Sequence, residues 1–474
     1  MKTKSIAKIV CGLAAGMLLT TSVNAQFSVT GQYMARGEYR HGYSTLSDTN
    51  TKAGVFVSQR MRLNGEFKHE KYRLYASVQD VRTWGSVGNS AIDVSAGLSL
   101  FEGYGELFFT KKIKAKIGRQ VLSYDDDRIL GGLDWAMQAR RHDAGVFMYT
   151  DSTWQVHLGG AYNQNAEANN NIAYTVKNGA AASSPNNYQS FQYLWVNKQI
   201  KKLNMSFLFL NNGMPFTHLN GVTGVKSNII LYQQTTGLRA EYKGDKLQGL
   251  VYGYYQMGDD ATPSSTATPN EVKYLQTSAY DLCAEVGYKP IKGLLVSLGT
   301  EILSGQSQTD TTGKGLKADG KRRSDGYINT NHAFNPYSGT NHRFNGYMDY
   351  FYVGNHVNSV GLMDIYLRVH YTYKKVMLGV NGHYFNAAAP VLDKRVTTSI
   401  ASLNANLGGE VDATLSYNYT DGVAIQAGYS QFFGAYTLQQ LRGAVSLNPK
   451  SNWAYLSLII RPGKIAWPKV GLKM

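Results

Sequence analysis

The stretch Val411–Phe433, "VDATLSYNYTDGVAIQAGYSQFF", decides the fold. In its first half Ala413, Leu415, Tyr417 and Tyr419 alternate with Asp412, Thr414, Ser416 and Asn418. After "YTDG" (419–422) the alternation resumes, with Val423, Ile425, Ala427 and Tyr429 set against Gln426 and Ser430. A period of two on both sides of a tight polar turn describes a hairpin whose strands each carry one apolar and one polar face.

The same pattern fills the chain. "TWQVHLGGAY" places Trp154, Val156 and Leu158 on one face, and "KLNMSFLFL" aligns Leu203, Met205, Phe207 and Phe209. About 18 such segments are read by this criterion. They begin near residues 27, 54, 71, 99, 112, 143, 153, 188, 202, 229, 246, 277, 293, 362, 376, 407, 422 and 450. Tight turns at 69–71, 243–246, 289–293, 373–375 and 419–422 alternate with long polar stretches at 164–187, 258–276, 304–346 and 388–405. Short turns on one rim and long loops on the other describe a transmembrane antiparallel β-barrel of an outer membrane. Closure removes every strand edge and pairs every backbone polar group within the protein, as a hydrocarbon solvent demands. A sandwich has shorter strands, and no fixed repeat period supports a solenoid.

The ends and the composition agree. Lys2, Lys4 and Lys8 precede the short apolar run Ile9–Leu19, and "VNA" (23–25) offers small residues for cleavage, so residues 1–25 read as an export signal. An apolar core of about 11 residues falls short of the roughly 20 that span a bilayer. The expected organisation is a signal at 1–25, a barrel over 26–462, and 463–474 as a tail or the end of the last strand. Only Cys283 remains after cleavage, which excludes an internal disulfide. The chain has 49 Gly, 34 Tyr and 17 % charged residues, a composition suited to strands and membrane interfaces. Without the three signal lysines, 45 Lys and Arg face 32 acids, a balance of +13. Such a balance favours an anionic partner, and export disfavours nucleic acid.

In a membrane barrel the apolar side of each strand meets lipid and the polar side meets the lumen, because a Lys or Arg at the bilayer midplane costs about 2–4 kcal/mol. Parity therefore sends Val55, Val57, Met61, Leu63 and Phe67 outward and Arg60, Arg62, Asn64 and Glu66 inward. It also sends Gln32, Arg36, Glu38, Arg40, Arg73, Gln79, Arg239, Glu241, Asp364, Arg368, His370, Asn381 and His383 inward. On the fourth segment Glu102, Tyr104 and Glu106 face the lumen, opposite Phe101, Leu107 and Phe109. The lumenal charges serve either as ion pairs bracing the wall or as a selectivity zone, where arginine forks grip carboxylate, phosphate or sulfate. Tyr33, Trp154, Tyr162, Trp195, Tyr288, Tyr384, Tyr429 and Trp453 fit interfacial girdles, with carbohydrate stacking the alternative for some tyrosines.

No zinc spacing, phosphate loop or nucleophile elbow occurs. His41, His69, His142 and His157 are scattered with no nucleophile beside them, so no enzyme, metal or cofactor is expected.

The chain resembles the alginate export family of outer-membrane barrels. The resemblance lies in Gly118-Arg119-Gln120 followed by Asp125, Arg128, Gly131, Trp135, Arg140, Arg141 and Asp143, in His342–Tyr371, and in Leu407–Phe433. It implies an 18-stranded barrel that passes an acidic polysaccharide through an arginine-rich pore. It implies Arg119, Asp125, Arg128, Arg140, Arg141 and Asp143 as pore residues, beside Arg60, Arg62, Arg73, Arg239 and Arg368 from parity. The C-terminus departs from the usual barrel ending on an aromatic residue: after "WAYLSLIIRP" comes "GKIAWPKVGLKM", either a later last strand or a periplasmic tail.

The expected protein is an outer-membrane channel, in contact with lipid, for diffusion of an anionic small molecule or polysaccharide. The alternative is an adhesion barrel whose long loops 164–187 and 304–346 do the work. Asp125-Asp126-Asp127 lacks the alternating ligands and following glycine of a calcium loop. The segment around it is expected to fold into the lumen, its aspartates held by Arg119, Arg128, Arg140 or Arg141.

Overall fold

The computed structural model describes residues 26–48, 50–86, 98–164, 167, 188–219, 226–261, 274–309, 330–396, 398–443 and 450–466. The expected signal, most of loop 164–187 and residues 467–474 lie outside these.

The wall begins with β1 (Gln26–His41), β2 (Gly54–Lys68), β3 (Tyr72–Thr83), β4 (Ser99–Phe108), β5 (Ile113–Gln120), β6 (His142–Thr150) and β7 (Trp154–Tyr162). It continues with β8 (Ser190–Ile200), β9 (Leu203–Leu219), β10 (Lys226–Lys243), β11 (Leu247–Asp260), β12 (Leu275–Tyr288) and β13 (Leu294–Leu303). After the dipeptide β14 (Thr330–Asn331) come β15 (Leu362–Tyr373), β16 (Val376–Asn386), β17 (Asn406–Thr420), β18 (Val423–Gly434) and β19 (Lys450–Ile460). A second dipeptide, β20 (Ile465–Ala466), one short α-helix, α1 (Tyr436–Leu441), and a 3-10 turn at Asn341–Arg343 complete the described elements.

Each wall strand pairs antiparallel with the next, β13 with β15 across β14, and β19 pairs with β1 from Tyr33↔Ile460 to His41↔Asn452. The eighteen long strands therefore close on themselves, as the alternation predicts. No helix among the described residues is long and apolar enough to cross a membrane. Every expected strand start falls within three residues of the observed one. The last wall strand ends at Ile460, and β20 then pairs Ala466 with Ser28 and Ile465 with Val29. Residues 465–466 thus form a short extension along the free end of β1, and 467–474 lie outside the described residues.

Turns of two to five residues alternate around the barrel with connections of six residues or more. The outer side is apolar: Val55, Met61, Leu63, Leu158, Leu238, Val251, Leu298 and Val411 are all exposed. Trp154, Tyr162, Tyr288, Tyr384 and Tyr429 are exposed on this side, and Tyr33 shares its parity. Trp195 and Trp453 do not belong to the girdle. They are 7 % and 1 % exposed and alternate with outward residues, so they point inward. Phe101 also turns inward. The β3–β4 register passes from Ser77↔Glu102 to Val78↔Leu100, so Phe101 is an extra residue in a bulge, which reverses its side.

The interior differs from a uniformly polar lumen. The connection 121–141 and the described part of the next long one, 330–361, enter the barrel from the long-loop rim, and Leu130, Phe334, Met348, Tyr350, Phe351 and Val360 are buried. They pack on inward apolar residues of the wall: Tyr350 stacks on Phe432 at 3.9 Å and Phe351 meets Phe385 at 4.8 Å. Trp195 and Tyr193 pack against Tyr124 of the first connection, and Trp453 against Trp135. Inward tryptophans are needed here because these loops bring apolar side chains that must be buried.

Candidate functional site: the charged lumen wall

Beyond the packed loops, the inward side of β1–β5 carries most of the lumenal charge. Its pattern is one carboxylate shared by two cations. Glu38 accepts from Arg36 at 2.9 Å and from Arg40 at 2.8 Å. Asp134, on the first inward connection, accepts from Arg60 at 3.0 Å and Arg62 at 3.1 Å. Glu106 accepts from Arg73 at 3.2 Å and Lys114 at 3.0 Å. Glu66 adds a fourth acid, shared by Arg73 at 2.8 Å and Lys464 at 3.1 Å. Lys116 makes no ion pair among the described residues and lies over the Tyr104 ring at 3.8 Å. Each shared acid leaves positive charge unmatched, and the lining carbon is of low dielectric, so the field reaches into the lumen.

The opposite wall carries an excess of acids, with Glu241, Asp281, Glu285, Glu301, Asp364, Glu410 and Asp412 against Arg239 and Arg368. Arg239 of β10 meets Asp126 at 3.2 Å and Glu241 at 3.4 Å. Arg368 of β15 pairs with Glu285 at 3.1 Å and lies 4.0 Å over Tyr366.

The eleven residues expected at the pore separate into three groups and Asp125, which goes with the aspartate run. Arg62, Arg73, Arg239 and Arg368 line the lumen, each tied to at least one acid. Arg62 is further fixed by Gln79 at 2.8 Å and by Phe101, whose ring lies 3.7 Å beneath the guanidinium. A cavity of about 290 Å³ opens beside it, lined also by Gln32, Asn64, Tyr75 and Glu102.

Arg60, Arg128 and Arg140 are fixed within the protein. Arg60 is fully buried and donates to Gln32 at 2.8 Å and to the carbonyls of Asp134 and Met137, both at 3.2 Å. Arg128 is 1 % exposed; it pairs with Glu301 at 2.9 Å and Asp281 at 3.4 Å, and reaches Asn341 and Asn345 of the second inward connection. Burial alone would lower its pKa, but Glu301 and Asp281 outweigh it and hold Arg128 above the ordinary arginine value. Arg140 donates to the carbonyls of Ser338 and, at 3.0 Å, Gly339, joining the two inward connections.

Arg119 and Asp143 are on the other side of the wall. Asp143 alternates with buried Ala144, Val146 and Met148, and so shares the outward side of Phe147. Arg119 is its register partner and pairs with it at 2.8 Å, the two being 38 % and 50 % exposed. The expectation that both line the lumen is corrected by strand parity: an ion pair at a strand end can face outward where the rim leaves the hydrocarbon. Arg141 lies beside them, just before β6.

The aspartate run does enter the barrel, but with other partners than expected. Positive φ at Asp125 (55°) and Asp127 (70°) fans the three carboxylates apart. Asp125 accepts from Trp195 Nε1 at 3.1 Å, Asp126 from Arg239, and Asp127 from Ser123 at 2.5 Å. Burial raises the pKa of Asp125 and Asp127 above the usual carboxylate value. None of Arg119, Arg128, Arg140 and Arg141 makes a side-chain ion pair with the run, because the loop carries it past them to β8 and β10. No group of three or more potential metal ligands gathers among the described residues.

Sequence reasoning passed over Lys114, Lys116, Asp281 and Glu301. The alternation of "KIKAKIGRQ" contains the signal for the two lysines, since it sets them on the side away from Ile113, Ala115 and Ile117. The acids around Arg128 come from strands over 150 residues away, which no local pattern joins.

A closed antiparallel barrel of eighteen strands with inward loops and a charged lumen is the fold of the outer-membrane porins. The chain is similar to the structure of OpdK from Pseudomonas aeruginosa with vanillate: TM-score 0.53, 10 % identity, 93 % of this chain and 99 % of that one covered. It is similar also to OccK8 (OprE) of the same organism (0.52, 14 %, 94 % and 98 %) and to OccAB1 of Acinetobacter baumannii (0.55, 11 %, 93 % and 97 %). At these identities the likeness is one of fold. No family model and no curated protein matches the chain.

Proposed function

We propose that this protein is a porin-type channel of an outer membrane, exported by residues 1–25, that passes an anionic solute by diffusion and catalyses no reaction. The observation that carries the reading is the sharing of Glu38, Asp134 and Glu106, each between two cations of one side of the lumen. An anion entering the lumen exchanges hydration for the field of this surplus. The same acids compete with it for the guanidinium forks, so binding stays weak enough for release.

The solute is an acid. OpdK was solved with vanillate, an aromatic carboxylate, which supports a small one. The resemblance to alginate export proteins supports an acidic polysaccharide. The two inward connections narrow the lumen and favour a small solute or a single extended chain.

The test is a planar-bilayer recording of the purified protein across a potassium chloride gradient. The reading expects step conductances and a reversal potential displaced toward that of chloride. No conductance from well-folded protein would leave the adhesion barrel as the better account, and a displacement toward potassium would overturn anion preference. Block of the chloride current by an oligouronate but not by benzoate would favour the polysaccharide, and the opposite result the small carboxylate.

A further inference from the structure

Where β5 ends and β6 begins, at the long-loop rim, lies a cavity of about 280 Å³ lined by Arg119, Arg140, Arg141, His142, Asp143 and Tyr188. Its charge is unbalanced. Arg119 takes Asp143 in a two-point pair, at 2.9 and 2.8 Å. Arg140 donates only to main-chain carbonyls, those of Gly131, Ser338 and Gly339. Arg141 makes no ion pair among the described residues. Among the lining residues three guanidiniums thus stand against one acid, Asp143.

A second observation points the same way. His142 is 5 % exposed, and its Nδ1 meets the Tyr188 hydroxyl at 2.7 Å, while its Nε2 is buried with no partner among the described residues. An unpartnered ring nitrogen at such depth is costly, and a ligand oxygen in the cavity would satisfy it. Arg141 could meet the same ligand with its planar fork, the geometry that suits a carboxylate or a phosphate.

We propose that this cavity is an oxyanion-binding site at the outer mouth of the barrel, taking a carboxylate or phosphate between Arg141, Arg140 and His142. It rests on the channel reading only for its purpose, which is to collect the solute at the rim before it meets the β1–β5 wall. The oxyanion belongs either to a free solute or to a lipid headgroup, since Arg119 and Asp143 open the site toward the outer face.

The test is calorimetric titration of the full-length mature protein in detergent with citrate and, separately, inorganic phosphate. One binding site is expected, weakened about tenfold or more in Arg141→Ala and less in Arg141→Lys, which keeps the charge without the fork. No binding of either anion, or equal binding by all three proteins, would overturn the proposal. Repeating the titration in phosphatidylcholine bilayers with and without lipid A identifies the source. Citrate binding that survives lipid A assigns the site to a free solute, and binding lost only with lipid A assigns it to the headgroup phosphate. Citrate binding by a protein whose reversal potential favours potassium would sustain the site and sink the anion preference of the channel reading. Chloride preference without citrate binding would do the reverse.

Discussion

At the scale of single residues, the arginines divide by what their charge does. Arg128 has no access to a solute; its fork is spent on Glu301, Asp281 and two asparagines. Removing it strands two buried carboxylates, a loss of about 3–5 kcal/mol. Arg128→Ala should therefore lower the denaturant midpoint of the barrel in micelles by an amount of that order, and Arg128→Lys should recover little, because an ammonium cannot reach the same partners as a fork. A midpoint equal to that of the unaltered protein would contradict the bracing role. The tryptophans divide in the same way. Trp195→Ala removes a buried side chain and should cost about 3–5 kcal/mol, whereas Trp154→Ala, on the outer face, should cost clearly less. Equal losses in urea titration would return Trp195 to the girdle. The sequence could not make this distinction, because β8 sets Phe191, Tyr193 and Trp195 on one side and Leu194 and Val196 on the other, two apolar candidates for the outer face, and only the inward loops decide between them.

At the scale of elements, the two inward connections act as one body within the wall. Arg140 ties the first to the carbonyls of the second, and Arg128 ties both to β12 and β13. The second connection is seated by Glu410 of β17, which accepts the Met348 N–H at 2.7 Å. Gly346 makes this seat possible: its φ is +81°, and a Cβ there would lie 2.5 Å from the Glu410 carboxylate. Gly346→Ala should loosen the connection by about 1–2 kcal/mol. The expected result is faster proteolytic nicking within 330–361 and a noisier single-channel current, with the wall itself intact by circular dichroism. Unchanged nicking would refute the seat. That 121–141 enters the lumen was legible from its mixture of charge and aromatics. Its contacts were not, since positive φ at two aspartates redirects carboxylates that a linear reading aims at the nearest arginines. Phe101 failed for a related reason: one bulge residue reverses the side that parity assigns.

At the scale of the whole molecule, strand number and strand starts were legible because closure in lipid imposes one rule on every strand. The outward side must be apolar and the backbone must be paired, so the period of two survives along the whole wall. The lumen obeys no such rule. It is charged both where loops dock, as at Arg128 with Asp281 and Glu301, and where they do not, and which strands face which loop is a long-range matter. The candidate site was accordingly half legible: parity placed Arg62 and Arg73 inward, but the shared acids that give β1–β5 its surplus became visible only in three dimensions.

The central claim is that this surplus gives the pore its preference. The direct measurement is the chloride-to-potassium permeability ratio, taken from reversal potentials, for the unaltered protein and for Lys114→Glu/Lys116→Glu. The two substitutions shift the lumen by four charges on the side that carries the excess, without touching the Arg128 brace. A ratio above one that falls below one in the variant is the predicted result. A ratio that does not change between the two would contradict the account.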